Sequence, residues 1–179
     1  MKADIFGLGE TWSEEGYPEQ VFDNFSSFSD LKPKGLGRGK GLSVYSRLGT
    51  SFRKFSSASG KVSAILKRLK KVHIIFLYLS MNFNWEELKS VFNDWICDDK
   101  PTVIIGDCNW HSDHIHPMKT FLENRGYLQC MTRSTHEKGY KIDHLYICPL
   151  VQNLTYKIVQ QSIHYSDHDI IGIKIKGDF

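Results

Sequence analysis

Acidic and amide side chains follow short apolar runs at several places in this chain. Glu10, Asp107 with Asn109, and Asp143 each stand at or just after such a run. A short apolar run is typical of a buried strand, so each run delivers a polar group to the edge of a sheet, where the groups can converge. Carboxylate and amide oxygens are the ligands that a hard divalent cation prefers. The pattern therefore predicts a metal-dependent hydrolytic centre of the phosphodiesterase kind.

A histidine in this pattern adds acid–base chemistry. His168 follows Asp167 in the sequence Tyr-Ser-Asp-His and is the strongest candidate for a general base. Such a histidine needs a carboxylate to orient its ring, and Asp143 can be that partner. Asp167 is left to ligate the metal. His144 is a competing base, although a histidine within a strand is more often core or surface.

The elements that must position these groups alternate between strands and helices. We predict a fold of the α/β class, in which sheets are covered by helices. Helical spacing of apolar residues favours a helix over 84–97, opened by Asn84 with Glu87 as in a capping box, and a second helix over 117–125. Residues 13–40 are expected to be loop, and 41–47 a half-exposed strand. The remaining strands are predicted at 3–8, 51–55, 61–66, 72–79, 102–105, 141–148, 153–161 and 169–176.

The bulk composition is that of an ordinary globular protein. The chain has 179 residues, of which 41% are apolar and 24% charged, and we expect residues 1–179 to form a single domain. No apolar run is long enough to span a membrane, and the start of the chain lacks the pattern of a signal peptide. The four cysteines are widely spaced, which favours reduced thiols and an intracellular location, nuclear or cytoplasmic.

Charge is distributed unevenly. The interval from residue 31 to residue 85 carries twelve Lys or Arg and no acidic residue, whereas the rest of the chain is net acidic. Such a block is the electrostatic footprint of a polyanion partner, and beside a metal–carboxylate centre it favours DNA. A solvated basic face is the alternative.

A zinc site is a further alternative. His111, Asp113, His114 and His116 lie in one polar loop, but their spacing is loose and no thiolate accompanies them. The same loop can instead lie beside the active site.

Four motifs in order carry a family resemblance. Glu10-Thr-Trp, Gly-Asp107-Cys-Asn, Ile-Asp143-His and Ser-Asp167-His resemble the motifs of the endonuclease/exonuclease/phosphatase superfamily. The stretch that begins at Thr135 is similar to the endonuclease domains of Helitrons and non-LTR retrotransposons. The resemblance implies the DNase I-like α/β sandwich of two mixed β-sheets flanked by helices.

The resemblance also implies roles and a metal. Glu10 and Asp167 would bind Mg²⁺ or Mn²⁺. Asp107 would lie near the attacking water, Asn109 near the scissile phosphate, and Tyr78 would contact that phosphate. Asp143 would orient His168, completing the catalytic set.

Substrate contacts are expected from polar residues flanking these motifs. Arg38 and Lys40 belong to a Gly-rich basic loop, and Arg133, Thr135 and Lys138 flank the third motif. The predicted partner is DNA, with no membrane, in a protein that can belong to a larger polyprotein with a helicase or reverse transcriptase.

One departure from the family pattern leaves the activity open. The family begins with a strand ending in an Asn that helps to hold the metal, and we expect this strand to be missing here. Two alternatives to a DNA endonuclease therefore remain. One is a phosphatase or phosphodiesterase acting on RNA or phosphorylated small molecules, and the other is a catalytically degraded nucleic-acid-binding module.

Overall fold

A computed structural model describes residues 3–11, 22–31, 41–49, 51–164 and 166–176. These residues form three sheets and three helices. The strands are β1 (Ile5–Gly9), β2 (Ser26–Asp30), β3 (Leu42–Ser46), β4 (Phe52–Ser56), β5 (Val62–Arg68), β6 (His73–Leu79), β7 (Thr102–Asp107), β8 (Leu128–Gln129), β9 (Asp143–Ile147), β10 (Tyr156–Gln161) and β11 (Ile170–Ile175). The helices are α1 (Trp85–Trp95), α2 (Pro117–Glu123) and α3 (Pro149–Gln152).

A six-stranded mixed sheet forms the centre of the structure. Its strand order is β4-β5-β6-β7-β9-β8, and β6 and β7 run parallel while the other neighbours are antiparallel. Strands β5, β6 and β9 are almost wholly buried, which explains their near-continuous apolar sequences. The parallel pair has a consequence for function, because the carboxyl ends of β6 and β7 reach the same edge of the sheet.

A three-stranded antiparallel sheet, β1-β3-β2, packs on the six-stranded sheet. Two glycines of β1 face aromatic rings of β6: a Cβ on Gly7 would lie 2.5 Å from the Phe76 ring, and one on Gly9 would lie 3.6 Å from the Tyr78 ring. A side chain at Gly7 would clash with the Phe76 ring, so glycine at that position allows β1 to lie this close to β6. The end of β1, which leads into Glu10, is thereby held against the end of β6.

The helices cover one face of the six-stranded sheet. Helix α1 buries Leu88, Val91, Phe92 and Trp95, which recur at helical spacing. Asn84 caps it by accepting from the amide of Glu86, one residue earlier than the predicted capping box would use. No helix in the described residues has the length and apolar character needed to cross a membrane.

Most of the predicted elements are confirmed, with five differences. Of the predicted 13–40 loop, residues 22–31 are described and contain strand β2, whereas 13–21 and 32–40 lie outside the described residues. The strand predicted as half-exposed at 41–47 is buried over Leu42–Ser46, because β3 is the central strand of its sheet. The short elements β8 and α3 were not predicted. Within the described residues the mixed sheet is the six-stranded one, and β10 and β11 pair in a separate hairpin.

Candidate active site

Three polar side chains form a row across neighbouring strands at one edge of the six-stranded sheet. Tyr78 of β6 pairs in register with Asp107 of β7, and Asp107 pairs with Asp143 of β9. Residues in register on adjacent strands share a face, so the three side chains are neighbours. We call this edge the catalytic edge.

Asp107 is held by Asn109 and by its strand. The backbone amide of Asn109 donates to Asp107 Oδ1 at 2.9 Å, and the Asn109 side-chain amide donates to Oδ2 at 2.9 Å and to the Leu79 carbonyl at 3.0 Å. Burial, followed by the nearby Asp143 carboxylate, raises the pKa of Asp107 to about 7. A carboxylate with this pKa can exchange a proton at neutral pH.

Close backbone packing precedes Asp107. A Cβ on Gly106 would overlap the carbonyl oxygen of Leu77 on the neighbouring strand. Glycine therefore allows β7 to lie against β6 just before the catalytic edge, which fixes where Asp107 emerges.

His168 is bound to Asp143, as the sequence predicts. Its Nδ1 lies 2.9 Å from Asp143 Oδ2 and 3.1 Å from Oδ1, and this hydrogen bond raises the pKa of His168 to about 9. The ring therefore carries its proton at neutral pH in the metal-free protein. With Nδ1 engaged, Nε2 is the ring nitrogen left for chemistry.

Thr135 holds the backbone on either side of the His168–Asp143 pair. It is fully buried, and its hydroxyl accepts from the backbone amide of Asp143 at 3.1 Å. Its own carbonyl accepts from the amide of Asp169 at 2.7 Å, which ties down the segment that carries His168. The predicted substrate contact of Thr135 is therefore wrong, because a residue without exposed surface positions its neighbours instead.

Glu10 reaches the site from the three-stranded sheet. The Tyr78 hydroxyl donates to Glu10 Oε1 at 2.8 Å. Burial, together with this hydrogen bond, raises the pKa of the Tyr78 phenol, which stays protonated as a donor. Glu10 has a positive φ of 49°, an uncommon conformation for a residue with a side chain, and such conformations concentrate at functional sites.

His136 is a site residue that sequence reasoning missed. Its Nε2 lies 3.3 Å from Asp167 Oδ2, and its Nδ1 accepts from the amide of Lys138 at 3.1 Å. Because Nδ1 accepts, Nε2 is the ring nitrogen that faces Asp167. The only signal in the sequence was its place directly after Thr135.

The donors at this edge fit a hard divalent cation. Glu10 and Asp167 are exposed carboxylates, and Asp107 and Asp143 add negative charge. His168 contacts Asp143 of this set, and His136 faces Asp167. His136, Asp167 and His168 also offer ligand atoms within 4.8 Å of one another. Most of the donors at this edge are carboxylate oxygens, which suit Mg²⁺ or Mn²⁺ better than zinc.

The sequence matches no family model and no curated protein. Solved structures do match: the endonuclease domain of TRAS1, a telomere-specific non-LTR retrotransposon, has a TM-score of 0.62 at 14% identity, covering 96% of this chain and 84% of that one. The 3′ phosphatase NExo from Neisseria, bound to product DNA hairpin, has a TM-score of 0.60 at 15% identity, covering 98% and 89%. An endonuclease/exonuclease/phosphatase family protein from Leptotrichia buccalis has a TM-score of 0.61 at 14% identity, covering 98% and 87%.

The chain has the DNase I-like fold. Agreement over nearly its full described length with endonuclease and phosphatase structures confirms the resemblance drawn from the four motifs at the level of fold.

Within this DNase I-like fold, the remaining predicted substrate residues fall into two pairs. Arg133 and Lys138 are exposed near Asp167, beside an open cavity of about 520 Å³ that Arg133, His136 and Asp167 help to line. Both stay candidates for substrate contact. Arg38 and Lys40 lie outside the described residues.

The basic interval does not gather at the catalytic edge. Of its described members, Lys67 is buried, and its Nζ donates to the Gly49 carbonyl at 2.6 Å. Arg68 pairs with His73 at the opposite edge of the sheet, whereas the Nζ of Lys61 lies at the catalytic edge, 3.4 Å from the Asn82 carbonyl. The described part of the interval is therefore divided between the two edges.

The competing histidines have structural roles. His144 is buried, its Nε2 contacts the Trp110 carbonyl at 3.0 Å, and burial lowers its pKa to about 4. His116 caps α2 by accepting from the Met118 amide at 3.1 Å, and its ring stacks on Trp110. His116 is thus already engaged, and the loop around it does not bring together a zinc ligand set among the described residues.

Proposed function

We propose that this protein hydrolyses phosphodiester bonds with Mg²⁺ or Mn²⁺ and that its substrate is DNA, which it nicks as an endonuclease. The single observation that carries the proposal is the His168–Asp143 contact at the end of the Tyr78–Asp107–Asp143 row. A charged imidazole, a carboxylate of raised pKa and a buried phenol at one edge are the parts that in-line attack of water on phosphate needs.

Each side chain has a role that its geometry supports. Asp107, oriented by Asn109, accepts the proton of the attacking water. Protonated His168 presents Nε2 to the phosphate, where it stabilises the added negative charge. We favour this role over the predicted general base, because the hydrogen bond to Asp143 raises the pKa of His168 to about 9 in the metal-free protein. Tyr78 holds Glu10 in place through its hydroxyl.

Glu10 and Asp167 would hold the metal. When bound, the ion would supply positive charge to the phosphate and the leaving oxygen. His136, whose Nε2 lies 3.3 Å from Asp167 Oδ2, would keep that carboxylate in position.

DNA is favoured over other phosphate esters by two observations. The chain carries an acid-free interval with twelve basic residues, and the fold neighbours include a retrotransposon endonuclease domain and a phosphatase bound to a DNA hairpin. A mobile-element origin, a larger polyprotein and a single domain over residues 1–179 are parts of the same proposal.

The test is the nicking of supercoiled plasmid with Mg²⁺ and with EDTA. We expect Mg²⁺-dependent nicking by the wild type, and loss of it in Asp107→Ala and His168→Ala. Asp98→Ala, an exposed carboxylate at the opposite edge, is the matched control and should nick normally. Equal nicking by all four proteins would show that the activity does not arise from this site.

A 3′ phosphatase is a second candidate, because a fold neighbour carries that name. An oligonucleotide with a 3′ phosphate, assayed with the same variants, separates the two functions. Phosphate release without plasmid nicking would assign the site to monoesters.

A further inference from the structure

Two large apolar side chains stand exposed beside the candidate active site. Ile115 is 96% exposed and Met81 is 71% exposed, more than any other large hydrophobic residue in the described part of the chain. Single exposed apolar residues are ordinary on protein surfaces, so their placement and rigidity decide whether they have a use.

Both residues belong to connections that leave the catalytic edge. Met81 lies two residues beyond Leu79, the last residue of β6, and Ile115 lies in the connection between Asp107 and α2. Because β6 and β7 are parallel, these connections emerge on the same side of the sheet as Tyr78 and Asp107.

The connection that carries Ile115 is fixed on both sides. Ser112 is buried, its amide donates to the Lys141 carbonyl at 2.9 Å, and its carbonyl accepts from Lys119 Nζ at 2.9 Å. The Nζ of Lys141 also binds both carboxylate oxygens of Asp113, at 3.1 and 2.9 Å. Ile115 is therefore presented by an anchored loop.

The two connections also contact one another. The Phe83 ring lies 5.3 Å from the His116 ring, and His116 in turn stacks on Trp110 at 4.3 Å. Met81 and Ile115 thus flank a ring contact that joins their segments. Lys61 Nζ, 3.4 Å from the Asn82 carbonyl, places a positive charge next to Met81.

This arrangement fits nucleic acid better than an apolar partner. Two protruding aliphatic side chains can enter between neighbouring bases, and the lysine beside them can bind the phosphate backbone. Side chains such as Ile and Met wedge between base steps, unstack them and kink the duplex in proteins that deform DNA.

We propose that Ile115 and Met81 form an apolar wedge that enters the base stack next to the bond to be cut, so that the protein selects duplex DNA that unstacks easily. This inference rests on the proposed function for its substrate and adds the basis of substrate choice. Selection follows because parting a mismatched or flexible step costs less than parting a well-stacked one.

The experiment uses two short duplexes in EDTA, so that nothing is cleaved. One has a central mismatch flanked by 2-aminopurine, whose fluorescence rises when it unstacks, and the other is fully paired with the same label. Wild type should bind the mismatched duplex roughly tenfold more tightly and raise its fluorescence, because the mismatch removes part of the unstacking cost of a few kcal/mol.

Three single variants complete the design. Ile115→Ala and Met81→Ala should lose most of the fluorescence rise and of the preference for the mismatch. Leu150→Ala, at 37% exposure on α3 beyond the far end of β9, should behave as wild type. Melting temperatures equal to that of the wild type show that the variants are folded.

The outcomes separate the two proposals. Unchanged fluorescence and preference in Ile115→Ala and Met81→Ala would overturn the wedge. Equal binding of both duplexes by the wild type, with no fluorescence rise, would also overturn it while leaving DNA as the substrate. Failure of the wild type to bind either duplex would remove the wedge and the DNA substrate together, whereas plasmid nicking tests the chemistry alone.

Discussion

Replacing Asp107 by Asn should make the protein more stable than the wild type at neutral pH. This gain in stability should disappear in acid. The folded-state pKa of Asp107 is about 7, above its ordinary value of 3.8. Between these two pH values the folded protein keeps the proton on Asp107, whereas the unfolded chain has released it. Ionising Asp107 in the folded protein therefore lowers stability as pH rises from about 4 to about 7, and this loss is complete above that window. Asn at this position has no such penalty.

The magnitude follows from the same two values. A rise from 3.8 to about 7, at about 1.4 kcal/mol per pH unit, corresponds to at most about 4 kcal/mol at pH 8. Asn offers one acceptor where the carboxylate offers two to Asn109, and the bond that is lost removes about 1–2 kcal/mol. The net gain is about 2 kcal/mol, which for a chain of this size is about 4–8 °C in melting temperature.

Thermal unfolding of both proteins at pH 4 and pH 8, in EDTA, checks this prediction. The gain should be present at pH 8 and absent at pH 4. Asp98→Asn, which changes the same group at an exposed position, should show no such difference between the two pH values. A lower melting temperature for Asp107→Asn at pH 8, or the same gain at both pH values, would refute the reasoning.

Three further predictions concern the site and its frame. Asp143→Asn should lower the nicking rate about 10²–10⁴-fold, because the hydrogen bond that orients His168 is lost; a loss below tenfold would count against the pair. His136→Ala should raise the Mg²⁺ concentration for half-maximal nicking about 10–100-fold while saturating Mg²⁺ restores most of the rate, and an unchanged Mg²⁺ dependence would exclude a positioning role. Gly106→Ala should lower the melting temperature by about 10 °C or prevent folding, because its Cβ meets backbone, whereas Gly172→Ala, which has open space, should be tolerated in the same unfolding assay.

The sequence predicts β5, β6 and β7 well because their apolar runs are long and bounded, whereas it misses β8, which has only two residues. It does not predict β2, whose residues Ser26–Asp30 carry little apolar character. That strand forms because β3 supplies the pairing, with five residues in register. Its Phe28 also stacks on Phe52 of the neighbouring sheet, a tertiary contact that periodicity does not contain.

The site shows a similar division. The contacts between His168 and Asp143, and the row that includes Asp107, follow from motifs at strand ends, because strand register brings those ends together. Thr135 and His136 were not predictable in the same way. Thr135 acts through hydrogen bonds to backbone, and His136 through its contact with Asp167 in a loop distant in sequence, which spacing alone does not reveal.

The glycine contact between β1 and β6 has a consequence for how the site assembles. Glu10 directly follows β1 of the three-stranded sheet, whereas Asp107 and Asp143 belong to the six-stranded one. The full set of carboxylates therefore exists only while the two sheets are docked. Transient opening along Gly7 and Gly9 would separate Glu10 from Tyr78 and switch the site off while the larger sheet stays folded.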